Sequence, residues 1–247
     1  TPRENAQFLL FLTAFIKGVD EYQDMLRATV ATPGNDHRLG GDEAPPAILS
    51  VFLGDELTGI LDSIENDTPY TPGERVQFKI GVHVLPHFPK DSTDRNRTSP
   101  FAFTGNKFEF RMLGSSASIS EANIILNTAV SDVLRRYADQ LEGQEDLDSA
   151  LHDLIRNALR EHKRILFNGN GYDNAWGEEA ERRGLLNLRA TPECMAYMLD
   201  QKNVKLFETA RVLSEAELRA RYEIMLSHYA KEVKIEALTM LDMIRKD

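Results

Sequence analysis

Residues 94–111, DRNRTSPFAFTGNKFEFR, predict a β-hairpin around which the rest of the chain is organised. The turn is expected at residues 104–106, where glycine and asparagine suit a tight reversal of the chain. After the turn, aromatic and charged side chains alternate with the period of a strand. Phe108 and Phe110 are therefore expected to face the core. The opposite face carries Lys107, Glu109 and Arg111.

The charges of this stretch suit a polyanionic ligand that is bound together with a metal ion. Bases hold phosphate or carboxylate oxygens, and a carboxylate such as Glu109 holds a metal. The four bases are Arg95, Arg97, Lys107 and Arg111. The alternative interpretation is an amphipathic edge hairpin whose outer face is neutralised by salt bridges.

The composition is typical of a soluble globular protein. The chain has 247 residues and a mass of 27.9 kDa, with 42% hydrophobic and 28% charged residues. Its net charge of −10 argues against nucleic acid or an anionic membrane as the main partner. Any site for an anion must therefore be a local basic patch, as in residues 94–111.

The single cysteine, Cys194, excludes a disulfide within the chain and fits a reducing compartment. It lies in a helical pattern, which predicts a buried structural thiol and not a nucleophile. We see no apolar run of membrane-spanning length and no signal peptide.

The order of predicted elements is mixed α/β up to Gly114 and helical after it. Before Gly114, helices are predicted at residues 4–30 and 56–64, and strands at 47–53, 76–85 and in the hairpin. After it, helices are predicted at 121–141, 147–167 and 174–183, and a long final helix follows the capping box of residues 214–217. A helix of that length is expected to pack on another chain or on a further part of its own, and both ends of the sequence look cut from something longer.

A Gly- and Pro-rich loop is predicted at residues 35–46. One interpretation is a mobile flap that carries Arg38 and Glu43 over a pocket, and the other is an ordinary solvated loop. His83 and His87 are four residues apart, but they lie in a predicted strand and a Pro-bounded segment, so we interpret them as structural.

Three segments resemble one known family. They are NDHRLGGDEAPPAI at residues 35–48, DRNRTSPFAFTGNKFEFRMLGSS at 94–116 and FNGNGYDNAWGEEAERRGLLNL at 167–188. Together they resemble the C-terminal part of the catalytic domain of glutamine synthetase, in its type III branch. The resemblance covers nearly the whole chain. It implies an α+β fold, with the antiparallel sheet of that catalytic domain in residues 1–120 and an all-helical packing or oligomerisation region in residues 121–247.

The resemblance also implies an activity. The family ligates ammonia to L-glutamate at the expense of ATP, through γ-glutamyl phosphate, with Mg²⁺ or Mn²⁺. The implied partners are L-glutamate, ammonium and ATP, and the implied assembly is a cytoplasmic ring-shaped homo-oligomer, a dodecamer, without nucleic acid or membrane. The N-terminal domain and the first half of the catalytic domain, which carry further metal ligands in the family, are absent from these residues. We therefore expect the 247 residues alone to be inactive.

Roles follow from the resemblance residue by residue. Glu43 matches the flap glutamate that accepts a proton from ammonium, and Arg97 matches an arginine on the phosphoryl group. The remaining matches are Arg38 and Arg111 with glutamate, Lys107 with the nucleotide phosphates and Glu109 with a metal. The sequence departs from the smaller branches at Ala102, where they have a further arginine for the nucleotide, and in a longer insertion at residues 54–94.

Two other functions remain open at this point. In the first, residues 121–247 form a non-catalytic assembly or regulatory module derived from this family, and the charges of the hairpin are salt bridges. In the second, the chain is a guanidino-type phosphotransferase of related fold, although the Glu43-Ala44-Pro45 and Asn96-Arg97 motifs match glutamine synthetase instead.

Overall fold

The computed structural model describes residues 5–41, 44–70 and 99–246. The strand predicted at 76–85, and with it His83 and His87, lies outside these residues. Within them the fold consists of ten α-helices and one small sheet. The helices of the first half are α1 (Ala6–Glu21), α2 (Gln23–Ala28), α3 (Pro33–Arg38) and α4 (Asp55–Glu65). Those of the second half are α5 (Ser120–Leu141), α6 (Leu147–His162), α7 (Asn174–Arg182), α8 (Thr191–Met195), α9 (Gln201–Thr209) and α10 (Glu215–Lys246).

The sheet has three strands, β1 (Val51–Phe52), β2 (Phe101–Phe103) and β3 (Phe108–Phe110), in that order. β2 and β3 form the predicted antiparallel hairpin, with Phe101 opposite Phe110. β1, however, pairs with β2 in parallel, so the expectation of an antiparallel sheet is wrong and the sheet is mixed. The reason is the connection: the chain leaves β1 through α4 and returns to the sheet before β2, and such a crossover lets two strands run in the same direction.

The hairpin has the predicted aromatic face. The ring of Phe108 stacks on Phe15 of α1 with centroids 3.7 Å apart, and the ring of Phe110 stacks on Phe101 at 4.3 Å. Stacked and offset rings in a core add to the free energy gained by burying their area. The period-2 alternation therefore sets which face of β3 meets α1.

Helix α1 is the centre of the helical packing. It starts at Asn5, whose side chain accepts a hydrogen bond from the Phe8 amide, and it packs against α5 and α6. The helix predicted at 4–30 is divided at Tyr22, between α1 and α2. Because α5 and α6 come from the second half of the chain, residues before and after position 120 share one hydrophobic core.

Helix α10 differs from the others in its exposure. Its N-terminus is the predicted capping box, in which the Ser214 hydroxyl and amide both donate to the Glu217 carboxylate. Of its residues only Leu218 is fully buried, although the helix continues to Lys246. Large apolar side chains are exposed along its outer part, namely Ile224, Val233, Ile235, Leu238, Met240, Leu241, Met243 and Ile244. Among the described helices, this one included, none combines the length and apolar character that crossing a membrane requires.

Candidate functional site

A pocket lies between the end of α3, the loop that follows it and the end of the hairpin. It is a small cavity of about 20 Å³ that is open to solvent. Its lining consists of Arg38, Leu39, Ala44, Pro45, Pro46, Ser99, Pro100, Arg111 and Met112. The structure therefore brings together two of the arginines that the sequence singled out, and no carboxylate is among the described lining residues.

Arg38 enters this pocket from a helix and not from a flexible loop. Residues 33–38 form α3, which the prediction of a loop at 35–46 missed. The helix is determined locally, since the Thr32 hydroxyl accepts the Asn35 amide at 3.2 Å and Pro33 occupies the first turn. Arg38 is its last residue, at the end where a cation is favoured by the helix dipole.

Two hydrogen bonds fix the guanidinium of Arg38. Its Nε donates to Asn35 Oδ1 at 2.8 Å, and its Nη2 donates to the Met112 carbonyl at 2.6 Å. Met112 directly follows Arg111, so the second bond joins α3 to the end of the hairpin. Arg38 is half-buried, and neither of these bonds uses its Nη1.

The charged face of the hairpin is an ion-paired row. Arg111 donates to Glu109 Oε2 from Nη2 at 3.0 Å and from Nε at 3.3 Å, while Lys107 Nζ lies 3.6 Å from Glu109 Oε1. The hydrogen bond from Arg111 holds the pKa of the Glu109 carboxyl below its ordinary value, and the charge of Lys107 acts in the same direction. Glu109 is thus ionised at neutral pH and remains 39% exposed. Both interpretations of the row, a ligand site and a salt-bridged edge, are compatible with this geometry.

The described residues do not by themselves form a metal site. Ions such as Mg²⁺ need six oxygen ligands, usually from carboxylates and water. No group of three or more His, Cys, Asp or Glu side chains in the described ranges is close enough together to hold an ion. Glu109 could supply one ligand, and the others would have to come from elsewhere.

Glu43, Arg97 and Arg95 lie outside the described residues, so the structure gives no position for these side chains. Described residues close to them in the chain do line the pocket. Ala44, which follows Glu43, and Ser99, two positions after Arg97, are both part of the pocket wall. Ser99 is buried at 1% exposure; its hydroxyl accepts from Ser50 at 3.1 Å and donates to the Phe167 carbonyl at 2.9 Å.

Helix α3 is also tied to the second half of the chain. Asp36 Oδ1 accepts from Arg27 Nη2 at 2.8 Å, and Asp36 Oδ2 accepts from the amide and hydroxyl of Thr191 at 2.6 and 2.7 Å. Arg27 is only 1% exposed and also donates from Nε to the Leu188 carbonyl at 2.8 Å. The contacts of Asn35, Asp36 and Arg27 were not predicted from the sequence, although Thr32-Pro33 is a helix-start signal that indicates α3.

A second, polar cavity of about 410 Å³ lies on the other side of the loop after α3. Leu39, Ala44 and Pro46 line both spaces, so this loop is the wall between them. The remaining lining comes from Gly40 and Gly41, from the turn at residues 171–174 and from Asn187 and Arg189, among others. The two cavities are therefore adjacent and share this loop as a common wall.

Ala102, where the smaller branches have arginine, is fully buried in the central strand β2. It lies opposite Glu109 on one side and Phe52 on the other. In this chain the position contributes to packing within the sheet, and its methyl group offers no contact to a phosphate.

Comparison with known proteins agrees with the resemblance noted from the motifs. Residues 150–247 match the model of the glutamine synthetase C-terminal domain. The chain is 47% identical over 247 residues to the type-3 glutamine synthetase of Dictyostelium discoideum, covering 99% of this chain and 34% of that protein. It is 45% identical to a glutamine synthetase of Butyrivibrio fibrisolvens, covering 100% of this chain and 35% of that protein, and 39% identical to one of Bacteroides fragilis, covering 98% and 34%. The chain thus spans about a third of the length of the curated relatives it matches.

Proposed function

Because this chain belongs to the glutamine synthetase family, we propose that it forms part of a glutamate–ammonia ligase. In the proposed reaction, ATP phosphorylates the γ-carboxylate of L-glutamate, and ammonia then displaces phosphate to give glutamine. Phosphoryl transfer of this kind depends mainly on positioning and on neutralising negative charge. We place the protein in the cytoplasm as a ring-shaped homo-oligomer, a dodecamer, in keeping with the family resemblance.

The observation that carries this proposal is the shared pocket of Arg38 and Arg111. Arg38 and Arg111 both line this pocket, and two arginines at one pocket favour a small anion although Arg111 is also ion-paired with Glu109. Glutamate is a dicarboxylate, so one guanidinium-rich pocket would hold one carboxylate and leave the other for the reaction. Arg38 and Arg111 are therefore the proposed glutamate-binding residues.

The other roles are proposed on the family resemblance together with this pocket. Glu43 would accept a proton from ammonium, and the position of its neighbour Ala44 in the pocket wall is compatible with that role. Arg97 would hold the phosphoryl group, and Lys107, which is 66% exposed, would contact the nucleotide phosphates as a point charge. Glu109 would contribute one carboxylate ligand to Mg²⁺ or Mn²⁺, the ion that lowers the cost of bringing phosphate charges together.

The proposal is tested by glutamine formation in the intact protein that contains this chain. Arg38→Ala should raise the KM for glutamate by about 10- to 100-fold, the cost expected for losing hydrogen bonds from a charged group, while the KM for ATP changes little. Arg135→Ala is the matched control, because Arg135 is exposed on α5 and pairs with Asp132 and Asp139. Equal effects of the two substitutions on the KM for glutamate would contradict the assignment.

Glu43 gives a second test of the same reaction. Glu43→Ala in the intact protein should abolish glutamine formation and leave nucleotide binding nearly intact, since its proposed role is in proton transfer. A loss of nucleotide binding in this variant would show that its role is misassigned.

The isolated 247 residues should make no glutamine, because the described residues supply one candidate metal carboxylate and not a complete set.

The exposed apolar side chains of α10 favour a second candidate, a module for assembly. Eight large apolar side chains in water are unfavourable unless another surface covers them. A double substitution Ile235→Glu, Leu238→Glu should lower the molar mass measured by light scattering, and Lys234→Glu is the control on the same helix. Concentration-dependent self-association without any binding of glutamate or ATP would favour the assembly role over the ligase.

A further inference from the structure

Asn35, like Arg38, joins α3 to the end of the hairpin through a hydrogen bond to the Met112 carbonyl. Its side chain is buried, with 5% of the residue exposed, and both ends of its carboxamide are used. Nδ2 donates to the Val30 carbonyl at 2.7 Å and to the Met112 carbonyl at 3.1 Å. Oδ1 accepts from Arg38 Nε at 2.8 Å. A buried carboxamide with this many partners has a single orientation, because rotating it by half a turn would place a donor against Arg38.

The Met112 carbonyl is a shared acceptor. It receives one hydrogen bond from Asn35 Nδ2 and another from Arg38 Nη2, which is within its capacity of two. Arg38 is therefore held at two points, directly at Met112 and indirectly through Asn35. A free arginine side chain loses rotamer entropy when it is immobilised, and here that ordering is completed before any ligand arrives.

The same carbonyl belongs to the residue after Arg111. The backbone on the other side of Arg111 is also fixed, since the Arg111 amide donates to the Pro100 carbonyl at 2.7 Å. The position of Arg38 relative to Arg111 thus depends on two short paths to the Met112 carbonyl, one directly from Arg38 Nη2 and one through Asn35. Asn35 bonds to both Arg38 and Met112 and does so from outside the pocket lining.

We propose that Asn35 is a positioning residue of the glutamate site, which sets the separation and orientation of the two guanidinium groups that receive the substrate carboxylate. This inference rests on the proposed function, because it assigns the pocket to glutamate. Asn35 does not line the pocket itself and acts through Arg38. Its loss should therefore weaken binding of the dicarboxylate without affecting the nucleotide.

The test is steady-state kinetics of the intact protein with two substitutions. Asn35→Ala removes both ends of the carboxamide. Asn35→Asp keeps an acceptor for Arg38 but replaces the donor to the Val30 and Met112 carbonyls with a negatively charged oxygen. Both should raise the KM for glutamate, Asn35→Ala by about 10-fold or more, while the KM for ATP stays within about 2-fold. A merely structural role would lower stability without this split between the two substrates.

Asn203 provides the matched control. It is also fully buried, and its Nδ2 likewise donates to two acceptors, Asp24 Oδ2 at 3.0 Å and the Tyr197 carbonyl at 2.8 Å, but it is not among the residues that line the pocket. Asn203→Ala should lower the midpoint of thermal unfolding and leave the KM for glutamate unchanged. An Asn35→Ala variant that behaves like Asn203→Ala would overturn the proposal.

Two further outcomes are separable. If the unsubstituted protein makes no glutamine, the proposed function fails. Activity together with an unchanged KM for glutamate in the Asn35 variants means that only the positioning role fails.

If neither Asn35 variant folds, Thr32→Ala replaces them, because the exposed Thr32 hydroxyl accepts the hydrogen bond of the Asn35 amide from outside the core. A rise of about 2-fold or more in the KM for glutamate then supports the proposal, and an unchanged KM overturns it.

Discussion

The guanidinium of Arg38 and the backbone carbonyl of Met112 are 2.6 Å apart, although 74 positions separate them in the chain. This hydrogen bond joins the last residue of α3 to the residue that follows Arg111. It places both arginines at one pocket and makes the geometry of that pocket depend on how α3 is held. The stability of α3 and of its surroundings can therefore be tested independently of activity.

Asp36 should be one of the most important polar residues for stability. Asp36→Ala leaves the buried guanidinium of Arg27 without its carboxylate and removes two hydrogen bonds from Thr191. Breaking a buried ion pair from one side costs about 3–5 kcal/mol of unfolding free energy. Urea denaturation measures the change. The control is Asp153→Ala, which removes an ion pair between the exposed Asp153 carboxylate and Arg156. It should change the unfolding free energy by less than about 1 kcal/mol. Equal losses of stability for Asp36→Ala and Asp153→Ala would refute the importance of Asp36.

Arg211 should be replaceable by glycine with a gain in stability. It follows α9 with a φ of 55°, in a turn where the Val212 amide reaches back to the Phe207 carbonyl. This left-handed conformation costs an L-residue about 1 kcal/mol, and Gly184 occupies the equivalent place after α7. Arg211→Gly should raise the unfolding free energy by about 0.5 kcal/mol after the extra entropy of glycine in the unfolded chain is counted.

The control for that substitution is Arg219→Gly, within α10. There the backbone is helical, so glycine should lower stability by about 1 kcal/mol. The two changes remove the same side chain and should have opposite signs in the same thermal or urea unfolding experiment. A loss of stability at both positions would mean that Arg211 is not strained.

Cys194 should be chemically inert in the folded protein. Burial raises the pKa of its thiol to about 11, and its Sγ lies 3.3 Å from the Ala190 carbonyl. At pH 8 roughly one molecule in a thousand would carry the reactive thiolate, and that thiolate would still be inaccessible. An aromatic disulfide reagent should react only at the rate of unfolding, and fully in denaturant. Rapid labelling of the native protein would contradict the buried position.

The carboxyl of Glu109 should titrate at higher pH when Arg111 is removed. Its pKa is lowered chiefly by the hydrogen bond from Arg111, so Arg111→Gln should move it back toward the ordinary value, which NMR titration of the side-chain carboxyl would detect. Lys107→Gln is the control and should have a smaller effect, because Lys107 is 3.6 Å away and exposed. A larger shift with Lys107→Gln would reverse this order.

The sign of the pH dependence follows from the same contact. A carboxyl whose pKa is lower in the folded state than in the unfolded chain binds its proton more weakly when folded. The stabilising contribution of Glu109 is therefore present above the unfolded pKa, near 4.3, and is lost as the pH falls through the folded value. At pH 7 the pair with Arg111 is intact.

Features set by neighbouring residues could be predicted from the sequence. The alternation of residues 107–111 identified the hairpin and its aromatic face, and the capping box at residues 214–217 identified the start of α10. The burial of Cys194 followed from its helical pattern in the same way. Periodicity and capping depend on side chains within one or two turns of each other, so they can be predicted from the sequence alone.

Only the tertiary structure decided how distant parts meet. The parallel pairing of β1 with β2, the anchoring of Asp36 by Thr191 and the bond from Asn35 to the Met112 carbonyl each join segments far apart in the chain, 77 positions in the last case. From the sequence, Asn35 and Asp36 are interpreted as ordinary polar residues of a loop. The contribution of a hydrogen-bonding group to stability depends on its burial and its partners, which the sequence does not give. The sequence alone singled out Arg38 and Arg111 as candidate site residues. Their convergence on one pocket depends on packing that brings α3 and the end of the hairpin together.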